Sequence, residues 1–126
     1  MCLMLVVDDN DFVRECVAAI LASLGHKIIY AVDGLEALTI YKAMYPMIRL
    51  VLMDIAMPKM DGITMLGKLR EDAWGKTVPV IMLTNQDDIN KMSQTVELES
   101  FDYLIKSDHS IEDIVIKVRE RLSRKY

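Results

Sequence analysis

Short apolar runs and longer amphipathic runs alternate along this chain, and the alternation constrains its fold more than any other feature. The apolar runs have the length and composition of β-strands and lie at 3–7, 27–32, 49–54, 78–84 and 101–105. The runs between and after them have helical spacing or helix-capping residues, and lie at 11–25, 33–46, 63–71, 86–99 and 110–122. Five strands that alternate with five helices predict a parallel sheet covered by helices on both faces.

The strand runs are apolar throughout, which indicates strands buried on both faces of the sheet. Right-handed crossovers then give a doubly wound α/β fold, a three-layer (βα)5 sandwich. Asp33 and Asp61 are predicted to cap the second and third helices, and Gly25 to stop the first. With 126 residues, we expect one domain over 1–126.

Charge and local composition argue against several classes of function. The net charge of −4 disfavours direct binding of nucleic acid, which requires a basic face. The first ten residues, MCLMLVVDDN, lack the basic region of a signal peptide, and no apolar run approaches the length of a membrane span. Cys2 and Cys16 form neither a metal-binding spacing nor a disulfide framework. We therefore predict a cytoplasmic protein without a membrane segment.

Polar residues stand at the carboxyl ends of the predicted strands, where doubly wound sheets bind their ligands. Asp8 and Asp9 follow the first strand, Asp54 ends the third, Thr84 ends the fourth and Lys106 follows the fifth. Three nearby carboxylates repel one another, and one lysine offsets only one of them. The remaining pair favours a divalent cation with oxygen ligands, best Mg²⁺, with Mn²⁺ as the alternative.

A metal, an ammonium group and a hydroxyl directed at one carboxylate are the groups that phosphoryl transfer requires. The carboxylate can itself be the nucleophile and become an aspartyl phosphate. Taken singly these residues have simpler interpretations: Asp8 to Asn10 as a helix cap, Thr84 as an ordinary strand end, and Lys106 as a solvated lysine. Their convergence at one edge of the sheet favours the chemical interpretation.

Four segments, taken together, resemble the receiver domain of bacterial two-component response regulators. They are VVDDN, LVLMDIAMPKMDG, IMLTN and DYLIKSD, and they occur in the family's order and spacing over nearly the whole chain. The resemblance implies the flavodoxin-like strand order 2-1-3-4-5. It also implies a phosphorelay switch, phosphorylated by a histidine kinase or a histidine phosphotransfer domain, that catalyses its own phosphorylation and dephosphorylation and is not a conventional enzyme.

The resemblance assigns roles to the acidic residues. Asp54 corresponds to the phosphorylated residue. Asp9 corresponds to a direct Mg²⁺ ligand and Asp8 to an acid that acts through a metal-bound water. Ala56 stands where the family's backbone carbonyl ligates the metal, and Asp54 is expected to be a metal ligand as well.

The resemblance also assigns the phosphoryl-binding and switching roles. Thr84 and Lys106 correspond to the residues that contact the phosphoryl group, and Thr84 with Tyr103 to the pair that changes on phosphorylation. An output domain, a partner protein or a second copy in a phosphorylation-linked homodimer is then expected on the face of the fourth helix, fifth strand and fifth helix, at 86–99, 101–105 and 110–122.

Three residues depart from the family pattern. Ser107 stands where the family usually has a proline after a cis peptide bond, and such a bond before a non-proline residue costs about 3–4 kcal/mol. Either the fold sustains that strain here, or Lys106 reaches the site from a trans peptide. Asn85 stands where a small residue is common, which predicts narrower access to the phosphoryl group. Glu99 stands where a helix-ending glycine is common. The departures affect rates and switching more than the reaction.

Other functions stay open on the residues alone. An aspartate-nucleophile phosphatase or phosphotransferase of another class needs a general acid at position 56, where this chain has Ala56. A flavin-binding electron carrier of the same fold needs a phosphate loop after the first strand, where DDNDF would repel a phosphate. A degenerate receiver that only binds partners is kept open by the three departures.

Overall fold

The computed structural model describes residues 3–8, 11–23, 25–55, 59–71, 75, 78–84, 101–105 and 111–123. The strands are β1 (Leu3–Val7), β2 (Lys27–Ala31), β3 (Ile48–Asp54), β4 (Val80–Thr84) and β5 (Phe101–Ile105). The helices are α1 (Asp11–Ser23), α2 (Gly34–Met44), α3 (Gly62–Glu71) and α4 (Ile111–Ser123). Here α4 is the fifth helix of the sequence prediction, because the helix predicted at 86–99 lies outside the described residues. Of the helices described, none is long and apolar enough to cross a membrane.

The strands form one parallel sheet in the order β2-β1-β3-β4-β5. The predicted doubly wound α/β architecture and the flavodoxin-like order are therefore confirmed. Connections run outward in opposite directions from β1 and β3, so the strand order reverses between these two central strands. The crevice beyond their carboxyl ends is where such a sheet binds ligands.

Helices pack on both faces of the sheet over two apolar clusters, as the alternating pattern predicts. On one face, α2 and α3 supply Ala37, Tyr41, Met65, Leu66 and Leu69. On the other face, α1 and α4 supply Val17, Leu21, Ile114, Val115 and Val118. Nearly all side chains of β1 and β3 are buried between these layers, so the two strands form a rigid support for the residues that follow them.

Strand β2 differs from the prediction that the strands are buried on both faces. Lys27 and Tyr30 are exposed, Ile28 and Ile29 are half-buried, and Ala31 is buried. The physical reason is the position of β2 at the edge of the sheet, where it has a neighbouring strand, β1, on one side only. Apolar composition therefore did not distinguish an edge strand from a central one.

Three predicted helix boundaries are confirmed by their capping contacts. The Asp33 carboxylate accepts a hydrogen bond of 2.8 Å from the Glu36 backbone N–H at the start of α2. The Asp61 carboxylate accepts one of 2.7 Å from the Thr64 N–H at the start of α3. Gly25, with φ of 92°, follows α1 in a left-handed conformation that costs glycine little.

Tyr41 links the packing of α2 and α3 to alkaline stability. Burial raises the pKa of the Tyr41 phenol, although the nearby Arg70 guanidinium opposes this, and Tyr45 raises it further. Above about pH 10 the unfolded chain ionises this phenol more readily than the folded chain does, so stability is lost as pH rises.

We expect Tyr41→Phe to reduce that loss, measured as the free energy of unfolding in urea at about pH 8 and about pH 10.5.

Tyr30→Phe is the matched control, because Tyr30 is exposed on β2 and is not one of the groups that shift the pKa of Tyr41. This variant should keep the alkaline loss of the wild type. Equal alkaline losses in Tyr41→Phe and the wild type would contradict the role of Tyr41.

Candidate functional site

Two buried carboxylates lie side by side at the carboxyl end of the sheet. Val7 of β1 is paired with Met53 of β3, so the residues that follow, Asp8 and Asp54, are neighbours on adjacent strands. Adjacent strands lie about 4.8 Å apart. Asp8 is 1% exposed and Asp54 is 7% exposed. Among the described residues, the only other buried charged side chain is that of Asp33.

Backbone hydrogen bonds hold this pair of residues on both sides. The Asp8 N–H donates to the Ala31 carbonyl oxygen of β2 at 3.1 Å. The Ile55 N–H, directly after Asp54, donates to the Leu83 carbonyl oxygen of β4 at 3.3 Å. The sheet pairing therefore continues to the acidic residues themselves, and the two flanking strands, β2 and β4, set their backbone positions.

The β3–α3 loop, residues 55–61, begins and ends close together beside Asp54. The Gly62 N–H donates to the Ile55 carbonyl oxygen at 2.8 Å. A Cβ atom at Gly62 would lie 2.4 Å from the Asp54 carbonyl oxygen and 3.0 Å from the Ile55 Cα. Since both neighbours are backbone atoms, the first residue of α3 has to be glycine for the helix to start this close to Asp54.

A second part of the same loop, Lys59 and Met60, contacts the start of α2. The Gly34 N–H donates to the Met60 carbonyl oxygen at 3.0 Å. Lys59 has φ of 65°, and its Nζ lies 3.9 Å from Oδ2 of Asp33. Sequence reasoning predicted Asp33 only as a helix cap, and it missed the contacts of Gly34 and Lys59 because no local pattern marks a lysine in the left-handed conformation.

The remaining predicted residues are located in part. Thr84 ends β4 next to Ile105 of β5, so its backbone lies at the same edge of the sheet as Asp54. Tyr103 lies in β5, paired with Met82. The other predicted site residues and the three departures from the family pattern lie outside the described residues: Asp9, Ala56, Lys106, Asn85, Glu99 and Ser107.

The donor chemistry of the described pair fits a hard divalent cation. Asp8 and Asp54 offer carboxylate oxygens, the ligands that Mg²⁺ prefers over imidazole or thiolate. A dication also relieves the repulsion between two buried negative charges. Within the described part of the chain, no group of three or more metal-ligating side chains occurs, so the third carboxylate, Asp9, stays a prediction.

Comparison with protein families gives a match over nearly the whole chain. The model of the response regulator receiver domain matches residues 4–119. This chain belongs to the response regulator receiver domain family. The receiver domain is a module of phosphorelay signalling, and the observed strand order is the flavodoxin-like order expected of it.

Curated relatives support this assignment. The receiver domain is 41% identical to the chemotaxis protein CheY of Treponema pallidum over 103 residues, which is 81% of this chain and 70% of that protein. It is 36% identical to the probable transcriptional regulator ycf27 of Porphyridium aerugineum over 120 residues, which is 95% of this chain and 48% of the relative. The chain thus spans about half the length of the ycf27 relatives that it matches.

Solved structures agree on the fold. A putative response regulator from Chloroflexus aurantiacus superposes with a TM-score of 0.84 at 31% identity, over 98% of both chains. The CheX–CheY–BeF3–Mg complex from Borrelia burgdorferi gives a TM-score of 0.84 at 31% identity, over 98% of this chain and 90% of that chain.

Proposed function

We propose that this receiver domain accepts a phosphoryl group on Asp54 from a phosphohistidine of a sensor kinase or phosphotransfer domain, with Mg²⁺ bound. The position of Asp54 is the observation that carries this proposal. It is a nearly buried carboxylate at the end of a central strand, beside the buried Asp8, at the point where the strand order reverses. A purely structural residue at this position would be expected to be apolar, like the four that precede it.

In the proposed reaction, a carboxylate oxygen of Asp54 attacks the phosphorus of the donor. An O–P bond forms, the P–N bond to the donor imidazole breaks, and the imidazole nitrogen keeps the electron pair and takes a proton from solvent. Asp8, Asp9, Asp54 and the Ala56 carbonyl would hold Mg²⁺, which supplies positive charge against the phosphoryl oxygens. Thr84 and Lys106 would bind those oxygens and orient them.

The rigid support beneath Asp54 favours this chemistry. Phosphoryl transfer gains most of its rate from positioning and charge neutralisation, and both require fixed groups. Asp54 is flanked by β1 and β4, and the loop that follows it is closed by the bond between Gly62 and Ile55. The name of the Borrelia burgdorferi complex includes BeF3 and Mg alongside CheY, which makes Mg²⁺ the first ion to test.

We further propose that residues 1–126 act as a single cytoplasmic switch domain. Phosphorylation would shift a two-state equilibrium through Thr84 and Tyr103. The readout would be a partner protein, an output domain or a second copy on the face formed by the region 86–99, β5 and α4. Signalling by population shift, and not turnover of a substrate, would then be the function of the chain.

Incubation with acetyl phosphate tests this function directly. We expect the wild type to gain a base-labile phosphoryl group, mapped by mass spectrometry to the peptide that contains Asp54, when Mg²⁺ is present and not when it is chelated. Asp8→Asn should weaken Mg²⁺ binding at least about tenfold, as loss of groups around a metal commonly does. Absence of the adduct with Mg²⁺ present, or its appearance on another residue, would contradict the proposal.

A further inference from the structure

The β3–α3 loop is held at two places, its base and its outer part, and the two attachments differ in kind. Its base is closed by the Gly62 N–H on the Ile55 carbonyl oxygen at 2.8 Å. Its outer end, at Lys59 and Met60, contacts the start of α2, an element that contributes no residue to the acidic pair. The second attachment therefore reaches the loop from outside the site.

Backbone contact at Gly34 makes this second attachment close. The Gly34 N–H is one of the amides at the start of α2, and it donates to the Met60 carbonyl oxygen at 3.0 Å. A Cβ atom at position 34 would lie 2.4 Å from that oxygen and 3.1 Å from the Met60 Cβ. Any side chain here would push the loop away from the helix.

Charge adds to this contact. Asp33 is 3% exposed and uses one carboxylate oxygen, Oδ1, to cap α2. Its other oxygen, Oδ2, lies 3.9 Å from Lys59 Nζ, on a lysine whose side chain is 70% exposed. Among the non-glycine residues that the structure describes, Lys59 alone has a positive φ. An attraction to the buried Asp33 carboxylate favours this backbone conformation of Lys59, which directs the following Met60 carbonyl toward Gly34.

We propose that the start of α2, Asp33 and Gly34, positions the β3–α3 loop for metal and phosphoryl binding, so that Asp33, Gly34 and Lys59 are positioning residues. This inference rests on the proposed function, because the carbonyl of Ala56 that would ligate Mg²⁺ belongs to this loop. Neither Asp33 nor Lys59 is required to touch the metal. They act by limiting where the loop can lie.

Gly34→Ala tests the steric part. We expect its Mg²⁺ dissociation constant, measured by isothermal titration calorimetry, to rise at least about tenfold, since misplaced ligands commonly lose that much. Amide hydrogen exchange of Gly62 should also become faster. Gly25→Ala is the control, because it too adds a methyl at a glycine, with positive φ and no atom within 4 Å, away from the loop. The proposal would be overturned if Gly34→Ala bound Mg²⁺ with the dissociation constant of the wild type. It would also be overturned if Gly34→Ala and Gly25→Ala lost Mg²⁺ affinity equally.

Lys59→Met tests the ionic part and separates positioning from simple charge. Removing a cation near an acidic site would by itself tighten Mg²⁺ binding. Loss of positioning weakens it instead, by roughly two- to fivefold for an exposed ion pair. We expect the weaker binding, recovery in Lys59→Arg, and no change in Lys42→Met, which removes an exposed lysine of α2.

Asp33→Asn keeps a side-chain oxygen for the α2 cap and removes the charge. We expect the double variant Asp33→Asn/Lys59→Met to bind Mg²⁺ no more weakly than the weaker single variant, because both changes remove one contact. Tighter binding in Lys59→Met, or additive losses in the double variant, would overturn the ionic part. A wild type that binds Mg²⁺ but gains no phosphoryl group would contradict the proposed function alone, since the loop readouts do not depend on phosphorylation.

Discussion

Asp54→Asn is expected to gain no phosphoryl group from acetyl phosphate and Mg²⁺ under conditions in which the wild type is modified. An amide nitrogen and oxygen cannot replace the carboxylate nucleophile that forms the acyl phosphate. The substitution also removes one of two adjacent buried negative charges. The metal-free variant should therefore be at least as stable as the wild type, with a gain of about 1 kcal/mol in the free energy of unfolding.

Asp61→Asn is the matched control for this experiment. Asp61 lies in the loop that follows Asp54, is exposed and caps α3 through a side-chain oxygen that asparagine retains. Its phosphorylation should match the wild type within about twofold, because it loses a charge but neither a nucleophile nor a cap. A phosphoryl group found on Asp54→Asn by intact-mass measurement would show that another residue is the acceptor.

Gly62→Ala is expected to lower the free energy of unfolding by about 2–3 kcal/mol, which is near the upper end of the usual cost of adding atoms to a packed site. The added Cβ would meet the Asp54 carbonyl oxygen at 2.4 Å, and neither that oxygen nor the Ile55 Cα can rotate away as a flexible side chain would. Either α3 or the end of β3 has to shift. The same shift displaces Asp54, so phosphorylation should slow by more than the stability loss explains.

Urea unfolding and the initial rate of acetyl phosphate uptake measure the two effects in one preparation. Gly25→Ala again provides the comparison, since its cost comes from a strained φ alone and should be about 1 kcal/mol. Its phosphorylation rate should equal that of the wild type in conditions where both are folded. A Gly62→Ala protein with wild-type stability and rate would show that the loop has more freedom than its contacts indicate.

Much of the fold follows from the pattern of apolar runs. Strands β1, β3 and β4 lie within two residues of their predicted bounds, and three helix ends coincide with Asp33, Asp61 and Gly25. The pattern succeeded because parallel strands in the middle of a sheet are apolar on both faces. It misjudged β2, whose half-exposed side chains reflect neighbours that the local sequence does not specify.

The sequence placed two acidic residues of the candidate site together, but it did not predict the contacts that support them. Asp8 and Asp54 could be placed together because both end apolar strands, and the register of β1 and β3 bears this out. The contacts of Gly34 with Met60 and of Asp33 with Lys59 join segments far apart in sequence. Such contacts depend on the packing of α2 against the β3–α3 loop, which no spacing of residue types encodes.

The bond between Ile55 and Gly62 joins the end of β3 to the first turn of α3 through backbone atoms alone. The closure therefore does not depend on which side chains the loop exposes. A substitution at an exposed loop position can change the surface offered to a partner while the base of the loop stays closed.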